Sequence, residues 1–172
     1  MSEYPPFFLD VRHDLAVALI PRCGSQTIRG WLGRDAIAVK RDDTRLRSVS
    51  KRVAFIRNPL DRLASAYSLF YWTKDYGGKS YRHIPTESWE IFVDYILNPK
   101  IKDEHWQPQV NLIGSVPNIF HRFENIIEHF EKYRPGILPH NNKTSRMPIS
   151  DYRIAEVNKK YGDDFKLWEQ IN

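Results

Sequence analysis

The sequence predicts an α/β domain of three compact layers, a short and mostly parallel sheet flanked by helices. Three apolar runs are too short for helices: "LAVALI" (15–20), "VAFI" (53–56) and the end of "VPNIFHRF" (116–123). Each is followed by a segment with helical spacing or helix caps, and buried strands alternating with helices are the mark of this class. At 172 residues the chain fits one domain, 1–172, and can bury roughly 70% of its unfolded surface without a staple.

Residues 15–20 follow a polar segment and read as a buried strand. Thr27 to Leu32 begins a helix with Ile28, Trp31 and Leu32 on one side. The charged stretch "VKRDDTRLRSVSKR" (39–52) reads as a solvated connection. Val53 to Ile56 is a second buried strand. Asn58 is placed as an N-cap and Pro59 as the first residue of a helix whose apolar side is Leu60, Leu63, Ala64, Tyr67 and Phe70/Tyr71.

Residues 73–86 form a loop around a Gly-Gly centre, and "ESWEIFVDYIL" (87–97) is a helix closed by Asn98-Pro99. The third strand ends near residue 123, before the helix "ENIIEHFEKY". After the polar "HNNKTSRMP", Ser150 is expected to cap "DYRIAEVNKKYG", with Gly162 ending that helix and a short one over 163–170.

Hydrophobic residues make up 41% and charged residues 27%, which is ordinary for a globular chain. The net charge of +5 and pI near 9.3 favour an anionic ligand or polymer. Cys23 is the only cysteine, so no internal disulfide can form and a reducing, cytoplasmic setting is expected. No apolar run approaches ~20 residues, so no membrane span is expected.

"AVALIPRCGSQTIRGWL" (16–32) is a strand, a glycine-containing turn and a helix. Such a turn points backbone N–H groups at one spot, where the helix adds partial positive charge, and a phosphate or sulfate binds there readily. Nucleoside triphosphate hydrolysis is excluded, because no Gly-Lys-Ser/Thr stands at the motif's spacing from Gly24. Cys23 and Arg29 are spaced C-x5-R, as in cysteine-dependent phosphatases, where a thiolate attacks phosphorus. Against that alternative, no Asp-Pro pair supplies a general acid, and Gly30 stands where a hydroxyl usually follows the arginine. A second alternative is a basic nucleic-acid-binding module built on "KRDDTRLRSVSKR", although Asp42 and Asp43 dilute its charge.

At "IPRCGSQT" and "FIRNPLDRLASAY" the chain resembles the sulfotransferases that use 3′-phosphoadenosine-5′-phosphosulfate (PAPS), and it is most similar to the carbohydrate sulfotransferases. "HWQPQ" (105–109), "HRFENI" (121–126), "NKTS" (142–145) and "YGDDF" (161–165) also look like that family. The resemblance implies a P-loop-kinase-like fold and sulfuryl transfer to a hydroxyl acceptor, a carbohydrate, with adenosine 3′,5′-bisphosphate as product. The scheme requires no metal and no C-x2-C or H-x3-H spacing offers one, no nucleic-acid or membrane partner is expected, and a homo-oligomer would let a second subunit supply acceptor contacts.

The resemblance implies that N–H groups of Cys23, Gly24, Ser25, Gln26 and Thr27, with the Ser25 and Thr27 hydroxyls, wrap the 5′ end of the donor. Arg57 closes the second strand and Ser65 lies two turns into the next helix, so both can face one point as a clamp for the 3′-phosphate. Arg22 stands where the family has lysine, and inherits the role of stabilising the bridging oxygen that leaves with the nucleotide. His105 is the expected base, oriented by Asp103 or Glu104, with Glu104 and His13 in reserve. Lys143, Ser145 or Arg146 would reach the nucleotide. The aromatic stretch 67–83 would meet the acceptor.

Overall fold

The computed structural model describes residues 7–73, 75–76, 79–133 and 148–171. Strands β1 (Phe7–Asp10) and β2 (Leu15–Ala18) form an antiparallel pair, and helix α1 (Ser25–Leu32) follows the glycine turn. After β3 (Ile37–Val39) and β4 (Lys51–Ile56) come α2 (Pro59–Trp72) and a two-stranded ribbon of β5 (Asp75–Tyr76) and β6 (Lys79–Ser80). Helices α3 (Trp89–Leu97) and α4 (Gln109–Ile113) precede β7 (Ile119–Arg122), and α5 (Ile126–Tyr133), α6 (Ile154–Lys160) and α7 (Gly162–Gln170) complete the chain.

The main sheet has the order β3-β1-β2-β4-β7. β4 pairs in parallel with β2 and β7, whereas β1 is antiparallel to both its neighbours. The sheet is therefore mixed rather than mostly parallel. The difference lies in β1, which the sequence reading did not include, inserted between β2 and β3. Alternation along the strands fills both faces. Ala16, Ala18, Ala54 and Ile56 pack with Ile113, Leu167 and Trp168, while Leu15, Val17, Val53 and Phe55 pack with Ile28, Trp31 and Phe130. Helices α4 and α7 thus cover one face and α1 and α5 the other, giving three layers. A third, largely aromatic cluster joins α2, α3 and α6 through Tyr67, Phe70, Phe92, Trp106 and Val157, with Tyr161 beside them.

The start of α2 is as the sequence predicts: the Asn58 side chain accepts from the N–H groups of Leu60 and Asp61, and Pro59 opens the helix. Three local expectations are corrected. Residues 39–52 are not one solvated connection, because Val39 ends β3, Leu46 and Val49 are buried, and Lys51 begins β4. Ser150 does not cap α6; its hydroxyl donates to Glu90 at 2.6 Å and its carbonyl accepts from Trp89 Nε1, tying the chain to α3. Gly162 does not end α6 but opens α7, with Tyr161 between the two helices.

Candidate functional site

The parallel strands β2 and β4 deliver the two expected motifs to the same end of the sheet. After β2 the chain turns through Arg22 and Gly24, both left-handed at φ 69° and 74°. Gly24 is required twice over. Its φ suits only glycine well, and an added Cβ would lie 2.8 Å from Phe123 and 3.1 Å from Ile126. The Cys23 N–H donates to the Ile20 carbonyl at 3.0 Å and closes the turn, so it does not face an anion. The first helical bond runs from the Ile28 N–H to the Gly24 carbonyl, so the N–H groups of Ser25, Gln26 and Thr27 precede the intrahelical ladder. No acidic residue sits in that first turn.

Arg57 follows the last residue of β4 and is nearly buried. Its guanidinium donates to the Arg22 carbonyl at 2.9 Å and lies 5.0 Å above the Phe123 ring. Arg22 in turn donates from Nε and from a terminal nitrogen to the Ser65 hydroxyl, at 3.1 and 2.9 Å. Arg22, Arg57 and Ser65 are therefore gathered into one cluster. The Arg22 fork lies on Ser65, the residue expected at the 3′-phosphate.

Two residues absent from the sequence-based site hold this cluster in place. The buried Gln109 accepts from the Arg57 N–H and donates to the Arg57 carbonyl, and its side-chain oxygen also accepts from the Cys23 thiol at 3.2 Å. Arg62 is 1% exposed and donates to the carbonyls of Pro21, Glu104 and Gln107 at 2.7–2.9 Å. It thereby ties the first turn to the loop that carries His105. At the base of that loop, Asp164 accepts from the N–H groups of Gln109 and Val110, capping α4, and the Tyr161 hydroxyl donates to the Trp106 carbonyl. "HWQPQ" and "YGDDF" signalled these contacts as motifs. Nothing in the sequence marked Arg62, because an arginine on a helix ordinarily reads as surface.

His105 is buried, its Nδ1 2.6 Å from Asp103, and its ring abuts Phe70 and Tyr81 edge-on. Asp103 also accepts from the His105 N–H, so it fixes both backbone and ring. Ligating atoms of Asp103, Glu104 and His105 all lie within 4.8 Å of one another. His13 pairs with Asp10 at 2.8 Å at the amino end of β2, opposite the end that carries Arg22, which removes it as a reserve base. Lys143, Ser145 and Arg146 lie outside the described residues.

Cys23 is fully buried, and that burial pushes its thiol up to about 11, against the pull of Arg62 and Arg57. A cysteine phosphatase needs a thiolate at neutral pH in contact with its substrate. The C-x5-R alternative fails on both counts.

Fold and site together define an α/β domain with a cluster of arginines, a hydroxyl and a helix N-terminus at the carboxyl ends of its parallel strands, where such sheets bind ligands. The chain belongs to the sulfotransferase family, whose model matches residues 5–135, from β1 through α5. It is therefore a transferase, and sulfuryl transfer to an acceptor is its reaction class. No curated protein and no solved structure gives a significant match to the chain. Among the described residues no helix is long and apolar enough to cross a membrane.

Proposed function

We propose that the protein transfers the sulfuryl group of PAPS to a carbohydrate hydroxyl by in-line displacement, with His105 as base, on a P-loop-kinase-like fold. One observation carries the reading: Arg22, Arg57 and Ser65, drawn from two motifs, meet through direct hydrogen bonds. A donor with an anionic group at each end needs cations, hydroxyls and N–H groups. The cluster and the adjacent start of α1 supply all three, so the residues present fit the nucleotide.

In this reading Ser25, Gln26 and Thr27 hold the 5′ end through N–H groups and hydroxyls, with Cys23 and Gly24 shaping the turn. Arg57 and Ser65 clamp the 3′-phosphate. Arg22 leaves Ser65 to stabilise the bridging oxygen as charge develops on it. His105, held by Asp103, takes the acceptor proton as the new O–S bond forms and the S–O bond to the nucleotide breaks. Lys143 and Arg146 are assigned to the nucleotide by family likeness alone. The charge is met by arginines and N–H groups, so no metal is invoked. Exposed Tyr71 and Trp72, packed edge to face at the carboxyl end of α2, support a sugar acceptor, since sugar faces stack on aromatic rings.

Calorimetric titration with adenosine 3′,5′-bisphosphate tests the reading. Wild-type protein should bind, and Arg57→Ala should weaken binding at least tenfold, as losing a charge-assisted hydrogen bond does at about 1.5–3 kcal/mol. No binding by the wild-type protein would overturn it.

A further inference from the structure

The transfer end leaves the charged stretch 39–52 unused. In the structure this stretch lines a cavity of about 690 Å³, with Arg41, Arg47 and Arg52 on its wall beside Asp42 and Asp43. Arg52 is the second residue of β4, and Arg57 follows the last one, so the two lie roughly 16 Å apart along the strand at ~3.3 Å per residue. Gly114 and Val116, also on the wall, link the far end of α4 to the start of β7. Arg52 and Val116 place one wall of the cavity at the amino ends of β4 and β7, and none of Arg22, Arg57 and Ser65 lines it.

Its arginines are set in place before any ligand arrives. Arg52 donates to the carbonyls of Val116 and Val49, both at 2.8 Å. Arg41 donates to the Asn111 carbonyl at 2.7 Å and packs along Gly114, where an added Cβ would come within 3.3 Å of it. A guanidinium has five N–H donors, so Arg52 and Arg41 each keep donors in reserve beyond these bonds. Arg47 is exposed and has no hydrogen-bond or ion-pair partner among the described residues. Asp43 is engaged by both arms of Arg45, at 3.0 and 2.8 Å, and Asp42 remains as an acceptor for hydroxyl groups.

We propose that this cavity binds a saccharide unit bearing a carboxylate or sulfate group, as a second contact for an acidic glycan. The choice of a saccharide rests on the carbohydrate reading given above. Arginine forks match the planar carboxylate and the sulfate oxygens, while the carboxylates on the wall accept sugar hydroxyls. Against a nucleic-acid strand, the lining holds no aromatic ring on which a base could stack. The volume is that of a small-molecule site.

The test titrates four probes into the full chain at fixed ionic strength: a heparin-derived hexasaccharide, a hyaluronan hexasaccharide, maltohexaose, and a single-stranded oligonucleotide of the heparin probe's charge. At least one acidic hexasaccharide should bind the wild-type protein, and the stronger of the two tells sulfate from carboxylate. Arg47→Glu should weaken that binding at least tenfold while leaving adenosine 3′,5′-bisphosphate affinity within twofold; Arg57→Ala should do the reverse. The proposal is overturned if neither acidic probe binds, if Arg47→Glu has no effect, or if maltohexaose binds as tightly. It is also overturned if the oligonucleotide binds more tightly with the same dependence on Arg47. Arg47-dependent glycan binding by a protein that ignores the nucleotide would sink the donor reading and uphold this one.

Discussion

Arg22 holds the Ser65 hydroxyl with two of its nitrogens, at 3.1 and 2.9 Å, although 43 residues separate them. Arg22 does so from a left-handed backbone, and Arg57 fixes that backbone by donating to its carbonyl. A non-glycine residue in that region costs of order 1–3 kcal/mol, so the surrounding contacts must hold it there. Arg22→Ala should lower kcat by about 100-fold, the scale for losing one donor to a developing oxyanion. Affinity for adenosine 3′,5′-bisphosphate should change less than tenfold. Steady-state kinetics beside calorimetry decide this, and equal losses in both would make Arg22 a binding residue only.

The short His105–Asp103 contact makes the histidine a better candidate than its neighbours for taking a proton. His105→Ala should reduce kcat by about 100-fold or more, in the range of general-base losses, without weakening nucleotide binding. Asp103→Asn should give a smaller fall in kcat, again with unchanged nucleotide affinity. A near-normal rate in His105→Ala would move the base elsewhere, with Glu104 next to be tried.

A thiol raised to about 11 by burial is only about one part in a thousand thiolate at pH 8. Cys23 should therefore resist alkylation in the folded protein and react at the rate of a free thiol in denaturant. Cys23→Ser should stay active, since its hydroxyl can still donate to Gln109. Loss of all activity in Cys23→Ser, with the fold intact by circular dichroism, would return the thiol to the chemistry.

Arg62 presents the sharpest stability prediction. Removing it leaves three backbone carbonyls without their donor between the first turn and the His105 loop. Arg62→Met should cost about 3–5 kcal/mol in urea denaturation, comparable to breaking a buried charged network. Arg57→Met, at the rim of the same cluster, should cost much less. Similar midpoints for the two variants would refute the bridging role.

What could be read from the sequence followed from physical strength of signal. "VAFI" and the Asn58-Pro59 cap are strong local signals, and β4 and the start of α2 fall where they point. β1 escaped notice because "FFLD" is four residues behind two prolines, and β3 because two of its three residues are exposed and carry no alternation. The meeting of Arg22 with Arg57 was legible because both follow strand ends, and the parallel neighbours β2 and β4 bring those ends together. Gln109 and Arg62 act through backbone carbonyls and N–H groups of distant segments, and no spacing rule encodes those partners. The departure of Arg22 toward Ser65 is of the same kind, since it depends on a side-chain direction.

Burial of His121 beside His129 should make stability depend on pH. The rings are 3.8 Å apart and nearly parallel, and His121 Nε2 lies 2.6 Å from the Tyr133 hydroxyl. Burial first, then the charges of His129 and Lys132, push His121 down to about 4, while Glu128 pulls weakly the other way. In the unfolded chain its pKa is about 6.5, so between those values the unfolded state binds the proton and the folded state does not. The stabilisation is complete above pH 6.5 and is lost as pH falls toward 4. Allowing for solvent around this partly exposed pair, the loss should be about 1–2 kcal/mol. It should fall on α5, whose Phe130 stacks on Phe55 and whose approach carries Phe123 and Ile126 against Gly24. Urea denaturation of the wild-type protein and His121→Gln at pH 7 and pH 5 checks this. The variant should lose less stability than the wild-type protein over that interval, and identical losses would show that the stacked pair does not govern the acid response.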